Sequence, residues 1–493
     1  MGGTLASRAS GLLREVLLVA LFPVRASDAF RLAWTVPNLF RELLAEGALT
    51  NAFIPLYQRL RGEDRRAFAG AMLSVLALAN GLVLALALMA APWIVELLLA
   101  PQSNVDRELA VQLVRLTFPV LLAISLSALA MGVLNAEERF FAPAWAPVLL
   151  NVVAIAAMLA YPGEARWLAL GVVLGGAAQA LVQWPAMWRA GVLPTLGRWW
   201  HSSMPLALAL MAPFAFTTGA RQLLNVVAQR IVSNDAIFPA GAVTAYALST
   251  MLFSLALGLF AISPAMAYYA RLGNLAAEGS SRFSATLESG TRFILLLTLP
   301  AGAATYAFAE DAVRTVFELL QPAQGQEVTI SLAVLALAPL GVALPAAGLV
   351  NYLLRPFFVR QRVAAPVAVS VAFTLLTALL FVLLAPRLGI AGVSWGTALA
   401  MSAQALVLLA WLRRAEGLDV RAVARQAFRV SIAAVVAVAG ARWCANAITG
   451  ALALPAWWEA LTSVLVGGAV TLIVFLALAY ALRVPELRFG RNR

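Results

Sequence analysis

Residues 7–55 read SRASGLLREVLLVALFPVRASDAFRLAWTVPNLFRELLAEGALTNAFIP. The stretch is apolar enough to enter a bilayer, yet it carries Arg8, Arg14, Glu15, Asp28, Arg31, Arg41, Glu42 and Glu46. A charge at the centre of a membrane helix costs roughly 2.5–3.5 kcal/mol, so such residues usually line a polar cavity or pair with one another. We therefore read this stretch as two helices forming one wall of a charged pathway through a membrane protein. At about 100° per residue, Thr4, Ser7, Arg8, Gly11, Arg14 and Glu15 fall within an arc of roughly 120°, and the remaining faces are Leu, Val and Ala. In the second helix Asp28, Arg31, Thr35, Asn38, Glu42 and Glu46 share an edge flanked by Arg41, and Pro37 is expected to kink it. The competing reading of Arg31 is an arginine near a helix end that reaches for the headgroups.

The rest of the chain agrees with a membrane setting. It has 493 residues, 62% hydrophobic and 12% charged, and its mean hydropathy is +0.88. That composition excludes a soluble domain and predicts an all-α polytopic membrane protein. Arg8, Arg14 and Glu15 interrupt any signal-peptide core, so the first span is expected to stay in the mature protein. The single cysteine, Cys444, forms no internal disulfide and offers no metal-ligand spacing, and no metal site or cofactor is expected. The lone His201 falls in a loop. The net charge of +12, carried on arginines, is explained by loop topology rather than by nucleic acid.

Apolar runs long enough to span, about 20 residues each, fall near 5–23, 28–58, 68–99, 107–134, 143–161, 166–188, 205–232, 240–270, 288–309, 328–354, 364–385, 389–412, 426–447 and 456–482. This gives about 14 transmembrane helices. Arginines crowd alternate loops, for example Arg59, Arg61, Arg65 and Arg66, then Arg355, Arg360 and Arg362, then Arg413, Arg414, Arg421 and Arg425. The opposite loops hold only Arg25, Arg107, Arg166, Arg314 and Arg387, so roughly twenty stand against about five. By the positive-inside rule both termini are expected in the cytoplasm of a multi-pass protein.

A weak internal repeat is present. Residues 133–160, VLNAEERFFAPAWAPVLLNVVAIAAMLA, and 353–380, LLRPFFVRQRVAAPVAVSVAFTLLTALL, each run from a charged turn through Ala-Pro into an apolar span. Then follow LALGVVLGGAAQAL at 168–181 and GIAGVSWGTALAMSAQAL at 389–406, both Gly-rich and ending Gln-Ala-Leu. The offset of about 220 residues is six spans, which preserves orientation and predicts parallel repeats. The expected organisation is two pseudo-symmetric six-helix lobes, 1–190 and 200–415, with two additional C-terminal helices over 422–483.

The ordered series Ser7-Arg8, Gly11, Arg14-Glu15, Asp28-Ala29-Phe30, Pro37-Asn38, Arg41, Glu46-Gly47-Ala48-Leu49 and Ala52-Phe53 with Pro55 resembles the lipid II flippase (MurJ/MviN) family of the multidrug/oligosaccharidyl-lipid/polysaccharide exporter superfamily. The likeness is specific within 7–55, and beyond it is mostly one of topology. It implies alternating access around a central cationic cavity, and movement of an undecaprenyl-diphosphate-linked peptidoglycan precursor from the inner to the outer leaflet of the bacterial inner membrane. The substrate-binding positions it implies are Ser7, Arg8, Arg14, Glu15, Asp28, Arg41 and Glu46. The chemistry suits them, because arginine offers a planar fork matched to phosphate oxygens. Glu15 would orient the arginines while the site is empty, and Asp28 and Glu46 would exchange partners between two states. Membrane lipids are the other expected partners, and a monomer the expected state. The chain departs from the family where an arginine is often found in span 8, since Met251 stands there. Arg221, in mid-span, and Arg230 are candidates to replace its charge. Spans 7 and 11 contain no Asp or Glu, so the sodium site of some members is expected to be missing or altered, leaving the coupling ion or the membrane potential as the open energy source.

Three other functions compete. A polysaccharide-lipid flippase would share the arginines, whereas a cation-coupled multidrug exporter would show unpaired carboxylates in its cavity. A non-transporting membrane scaffold is compatible with the missing span 8 arginine. A membrane glycosyltransferase or phosphatase would need an acidic metal pair or a nucleophile with its base on an extramembrane face, and the sequence shows neither. A transporter, not an enzyme, is expected.

Overall fold

The structure is a computed structural model that describes residues 2–43, 49–277, 282–360, 364–484 and 486, with side chains described outside 4, 42–43, 49–52, 212–218, 220–221, 277 and 364–365. All regular structure among these residues is helical, and the chain divides into two compact units.

The first unit comprises residues 1–244 and 320–327. It holds α1 (Gly2–Leu21), α2 (Val24–Leu43), α3 (Leu49–Arg59), α4 (Gly62–Leu98), α5 (Arg107–Thr117), α6 (Val120–Ala136), α7 (Phe141–Ala160), α8 (Ala165–Leu181), α9 (Trp184–Arg189) and α10 (Met204–Val232). The Asp106 side chain accepts from the Leu109 amide at 2.9 Å and starts α5, which satisfies one orphan donor of its first turn. Segment 320–327 docks on the α1–α2 corner: the Ala323 amide donates to the Val19 carbonyl at 3.0 Å, and Gln326 Nε2 donates to the Phe22 carbonyl and Ser27 Oγ, each at 2.9 Å. His201 reaches Asp64 at 3.0 Å and holds its loop to the start of α4.

The second unit comprises residues 245–319 and 328–493. α11 (Ala242–Leu257) runs into it and continues through a π turn at Gly258–Ile262 into α12 (Ser263–Ala277). Then come α13 (Arg282–Ala307), α14 (Ala309–Phe317), α15 (Gln326–Leu353), α16 (Arg355–Val359), α17 (Ala364–Leu388), α18 (Ile390–Glu416), α19 (Val420–Leu452) and α20 (Ala456–Ala481). Gly417, at φ 70°, ends α18 in the left-handed conformation that a residue with Cβ adopts at a cost. Asp419 then caps α19, and the amide of Ala422 on its carboxylate holds that group below the usual carboxylate range.

Two physical demands of lipid explain the sequence inside these helices. Hydroxyls need partners where water is absent, so Thr117, Thr291, Thr298, Thr305 and Thr377 each donate to the carbonyl four residues back. Helices also need close approach, because lipid supplies no hydrophobic drive between them, and small residues allow it. A Cβ on Gly175 of α8 would lie 2.6 Å from the Leu150 carbonyl oxygen of α7, and one on Gly171 would lie 2.5 Å from Ala157 Cβ. Gly392 and Gly396 of α18 meet α17 in the same manner, at Leu384 and Phe381. The repeated Gly-rich segments thus do one job in both units. We expect Gly175→Val to lower the thermal unfolding midpoint in detergent, with an overpacking cost of about 1–3 kcal/mol. Outward faces carry exposed apolar residues such as Leu78, Leu82 and Trp93 on α4 and Leu465, Leu472 and Ile473 on α20.

Among the described residues, ten helices or helix groups are long and apolar enough to cross a membrane. The count is eleven when α13 and α14, bent by 74° at their junction, are one span. The three further spans expected from sequence coincide with α1, with α2 and α3, and with α10. α1 and α2 hold too many charges to pass a test of composition.

Candidate functional site

In α1, Ser7, Gly11 and Arg14 are spaced by four and three residues and so share a face. In α2, Trp34, Asn38 and Arg41 do the same. With Met131 of α6, Leu150 and Asn151 of α7 and Gln179 of α8, these residues enclose a cavity of about 280 Å³ within the first unit. Among the described residues its lining contains two arginines and no carboxylate.

The polar groups of this cavity are tied in a network. Arg14 Nη1 donates to Asn151 Oδ1 at 3.1 Å, and Nη2 donates to Glu15 Oε1 at 2.8 Å. Asn151 Nδ2 donates in turn to the Ser7 carbonyl at 3.2 Å and to Ser10 Oγ at 3.1 Å, so one amide of α7 fixes two turns of α1. Arg41 Nε donates to Asn38 Oδ1 at 3.0 Å. On the opposite wall Gln179 Nε2 donates to Ser127 Oγ at 3.0 Å, and the fully buried Gln183 also reaches that hydroxyl, at 2.7 Å.

The expected site residues separate into groups. Ser7, Arg14 and Arg41 face the cavity. Glu15 is buried beneath it, paired with both Arg14 and Arg31. Arg8 is exposed and stands outside the lining. Asp28 pairs with none of the described arginines. Its buried carboxylate receives the amide of Gly241 at 2.7 Å, the amide of Thr244 at 2.9 Å and Thr244 Oγ1 at 2.6 Å, and so it caps the N-terminus of α11. Glu46 lies outside the described residues, as does the side chain of Arg221. Arg230 is a helix cap: Nη1 donates to the carbonyls of Glu96 and Leu97, each at 2.8 Å, at the C-terminal end of α4. Arg31 does not reach for headgroups, since its pairing with Glu15 keeps its side chain 14% exposed.

The helical wheel puts Asp28, Arg31, Thr35, Asn38, Glu42 and Glu46 on one edge of α2 with Arg41 flanking it. Of that set the cavity takes Asn38 and Arg41, with Trp34 beside them, while Asp28 and Arg31 are committed to internal ties. The sequence reading gives Asn151 no role and takes Gln179 only as a mark of the internal repeat. Each is the lone amide in a predominantly apolar helix, and a polar side chain in such a span is a signal in its own right. Among the described residues there is no group of three or more His, Cys, Asp or Glu able to hold a metal ion.

A family model described as lipid II flippase MurJ matches residues 19–455. Ser7, Arg8, Arg14 and Glu15 precede that span, so their assignment rests on the motif and on the geometry above. A relative from Burkholderia cenocepacia named lipid II flippase MurJ is 31% identical over 431 residues, which cover 84% of this chain and 82% of the relative. The fold is similar to a solved structure described as lipid II flippase MurJ in an inward closed conformation, with a TM-score of 0.79 at 20% identity, covering 97% of this chain and 98% of the other. It is also similar to an inward-facing multidrug resistance MATE family transporter of the MOP superfamily, with a TM-score of 0.65 at 17% identity, covering 83% and 94%.

Proposed function

This chain belongs to the lipid II flippase MurJ family, and on that premise we propose that it moves a diphosphate-linked lipid precursor of peptidoglycan from the inner to the outer leaflet of a bacterial membrane. The observation that carries the reading is the cavity of the first unit, which Arg14 and Arg41 both line with no carboxylate among the described residues. A cation exporter would require the reverse polarity. Two guanidinium forks suit a diphosphate, since each presents paired N–H donors to phosphate oxygens. The volume of about 280 Å³ takes the diphosphate and the group next to it, not the whole headgroup. Trp34 and the amides of Asn151 and Gln179 supply a face and donors for that neighbouring group. The polyprenyl tail stays in lipid.

Flipping then consists of exposing this cavity to one side of the membrane and then to the other. A substrate with net negative charge leaves a negative interior downhill, by about 2.3 kcal/mol per charge per 100 mV. The membrane potential is therefore our proposed drive, with a coupling ion as the second possibility. We place both termini in the cytoplasm and take the monomer as the working unit.

The test is rescue of bacteria depleted of their own lipid II flippase. Wild type should restore growth, and Arg41→Ala should cut rescue sharply, because half of the cavity's positive charge goes with it. Absence of rescue by well-expressed wild type would reject this substrate in favour of another diphosphate lipid.

A further inference from the structure

Arg31 was never part of the binding motif, and it does not line the cavity. Yet it is buried in the middle of the network. Glu15, 4% exposed, uses one carboxylate oxygen for Arg14 and the other for Arg31. The Nε of Arg31 is buried with no hydrogen-bond partner, so its side chain is held there by Glu15 rather than by a complete set of donors and acceptors. Arg14, in contrast, divides its donors between Glu15 and Asn151 and keeps a face on the cavity.

Charge counting shows what this achieves. A buried carboxylate needs a counter-ion at all times, because leaving it alone in a low-dielectric interior is severely costly. If Arg14 were the only cation within reach, Arg14 and Glu15 would form a neutral pair, and a phosphate would have to strip Arg14 from a buried anion. With Arg31 on the second oxygen, Glu15 stays neutralised when Arg14 turns away. The three groups together carry one net positive charge, and that charge sits on the member facing the cavity.

We propose that Arg31 is the resident counter-ion of Glu15 and thereby a positioning residue that frees Arg14 to bind the substrate's diphosphate. The inference rests on the flippase reading of the cavity. It assigns Arg31 no contact with the ligand.

The test uses the purified full chain in lipid nanodiscs, with undecaprenyl diphosphate as probe, wild type and Arg14→Ala as references, and thermal unfolding to monitor the fold. Arg31→Gln should weaken probe affinity roughly tenfold or more, because Glu15 then captures Arg14. Glu15→Gln combined with Arg31→Gln should return the affinity to within a few-fold of Glu15→Gln alone, since a neutral residue 15 needs no counter-ion. That comparison decides the matter even if Arg31→Gln does not fold. A double variant as weak as Arg31→Gln would overturn the proposal, because Arg31 would then touch the ligand or merely brace α2. Unchanged affinity in Arg31→Gln would overturn it too. Failure of the cavity reading looks different: wild type would bind the probe no better than Arg14→Ala, and the proposal would fall with it.

Discussion

Bacteria that rely on this protein should lyse when Arg14 is replaced by Ala, and flipping in reconstituted vesicles should fall by more than a hundredfold. Arg14 faces the cavity and is held by two different partners, Asn151 and Glu15. Two charge-assisted hydrogen bonds to phosphate contribute about 3–6 kcal/mol at about 1.5–3 kcal/mol each, which corresponds to at least a hundredfold in affinity. Truncation also leaves Glu15 with Arg31 alone, so the buried cluster loses its net positive charge. Arg14→Lys should recover a fraction of the rate, since it restores the charge but not the paired donors. A rate in Arg14→Ala within a few-fold of wild type, with normal expression, would remove the cavity from the mechanism.

The second large effect is expected at Asp28, and it is structural. Its carboxylate collects three hydrogen bonds at the first turn of α11. Asp28→Ala should destabilise the protein by about 3–5 kcal/mol, because two amides and a hydroxyl lose a buried anionic acceptor. The amide protons of Gly241 and Thr244 should exchange much faster in hydrogen–deuterium measurements, while those of α7 and α8 stay protected. Asp28→Asn should fall between, since its oxygen can still accept from Thr244 while its NH2 group faces the Gly241 donor. Equal exchange at these amides in Asp28→Ala and wild type would show that the cap does not hold this turn.

Helical class and membrane setting were legible because lipid imposes long apolar runs and confines arginine to loops. Each of the runs expected from sequence coincides with a helix or a short series of helices. The spans that line the cavity, α1 and α2, were legible for the opposite reason, since their charges need a cavity or a partner inside hydrocarbon. Composition could not tell which charged residue faces that cavity and which is spent inside the protein. Asp28 and Arg31 share an edge with Asn38, yet one caps a helix more than 200 residues away and the other neutralises Glu15. Such partners are distant in sequence, and no local pattern announces them. Asn151 was invisible as a site for the same reason, although its isolation in an apolar helix marked it out.

The tight seam between α7 and α8 has a mechanical corollary. With the Leu150 carbonyl against Gly175, the two helices have no room to slide or roll on each other. Asn151 and Gln179, which stand on them, must then travel as points on a single stiff plate. α1 belongs to the same plate, since Asn151 holds it and a Cβ on Gly3 would lie 2.5 Å from the Ala144 carbonyl oxygen, so any change in the width of the cavity falls to α2, whose Arg41 becomes the moving jaw against a fixed anvil. A ligand that tightens this grip should leave the plate's internal spacings, and those from Arg14 to Gln179, unchanged while shortening the one from Arg41 to Gln179. Paired spin labels on the two sides would read out that asymmetry.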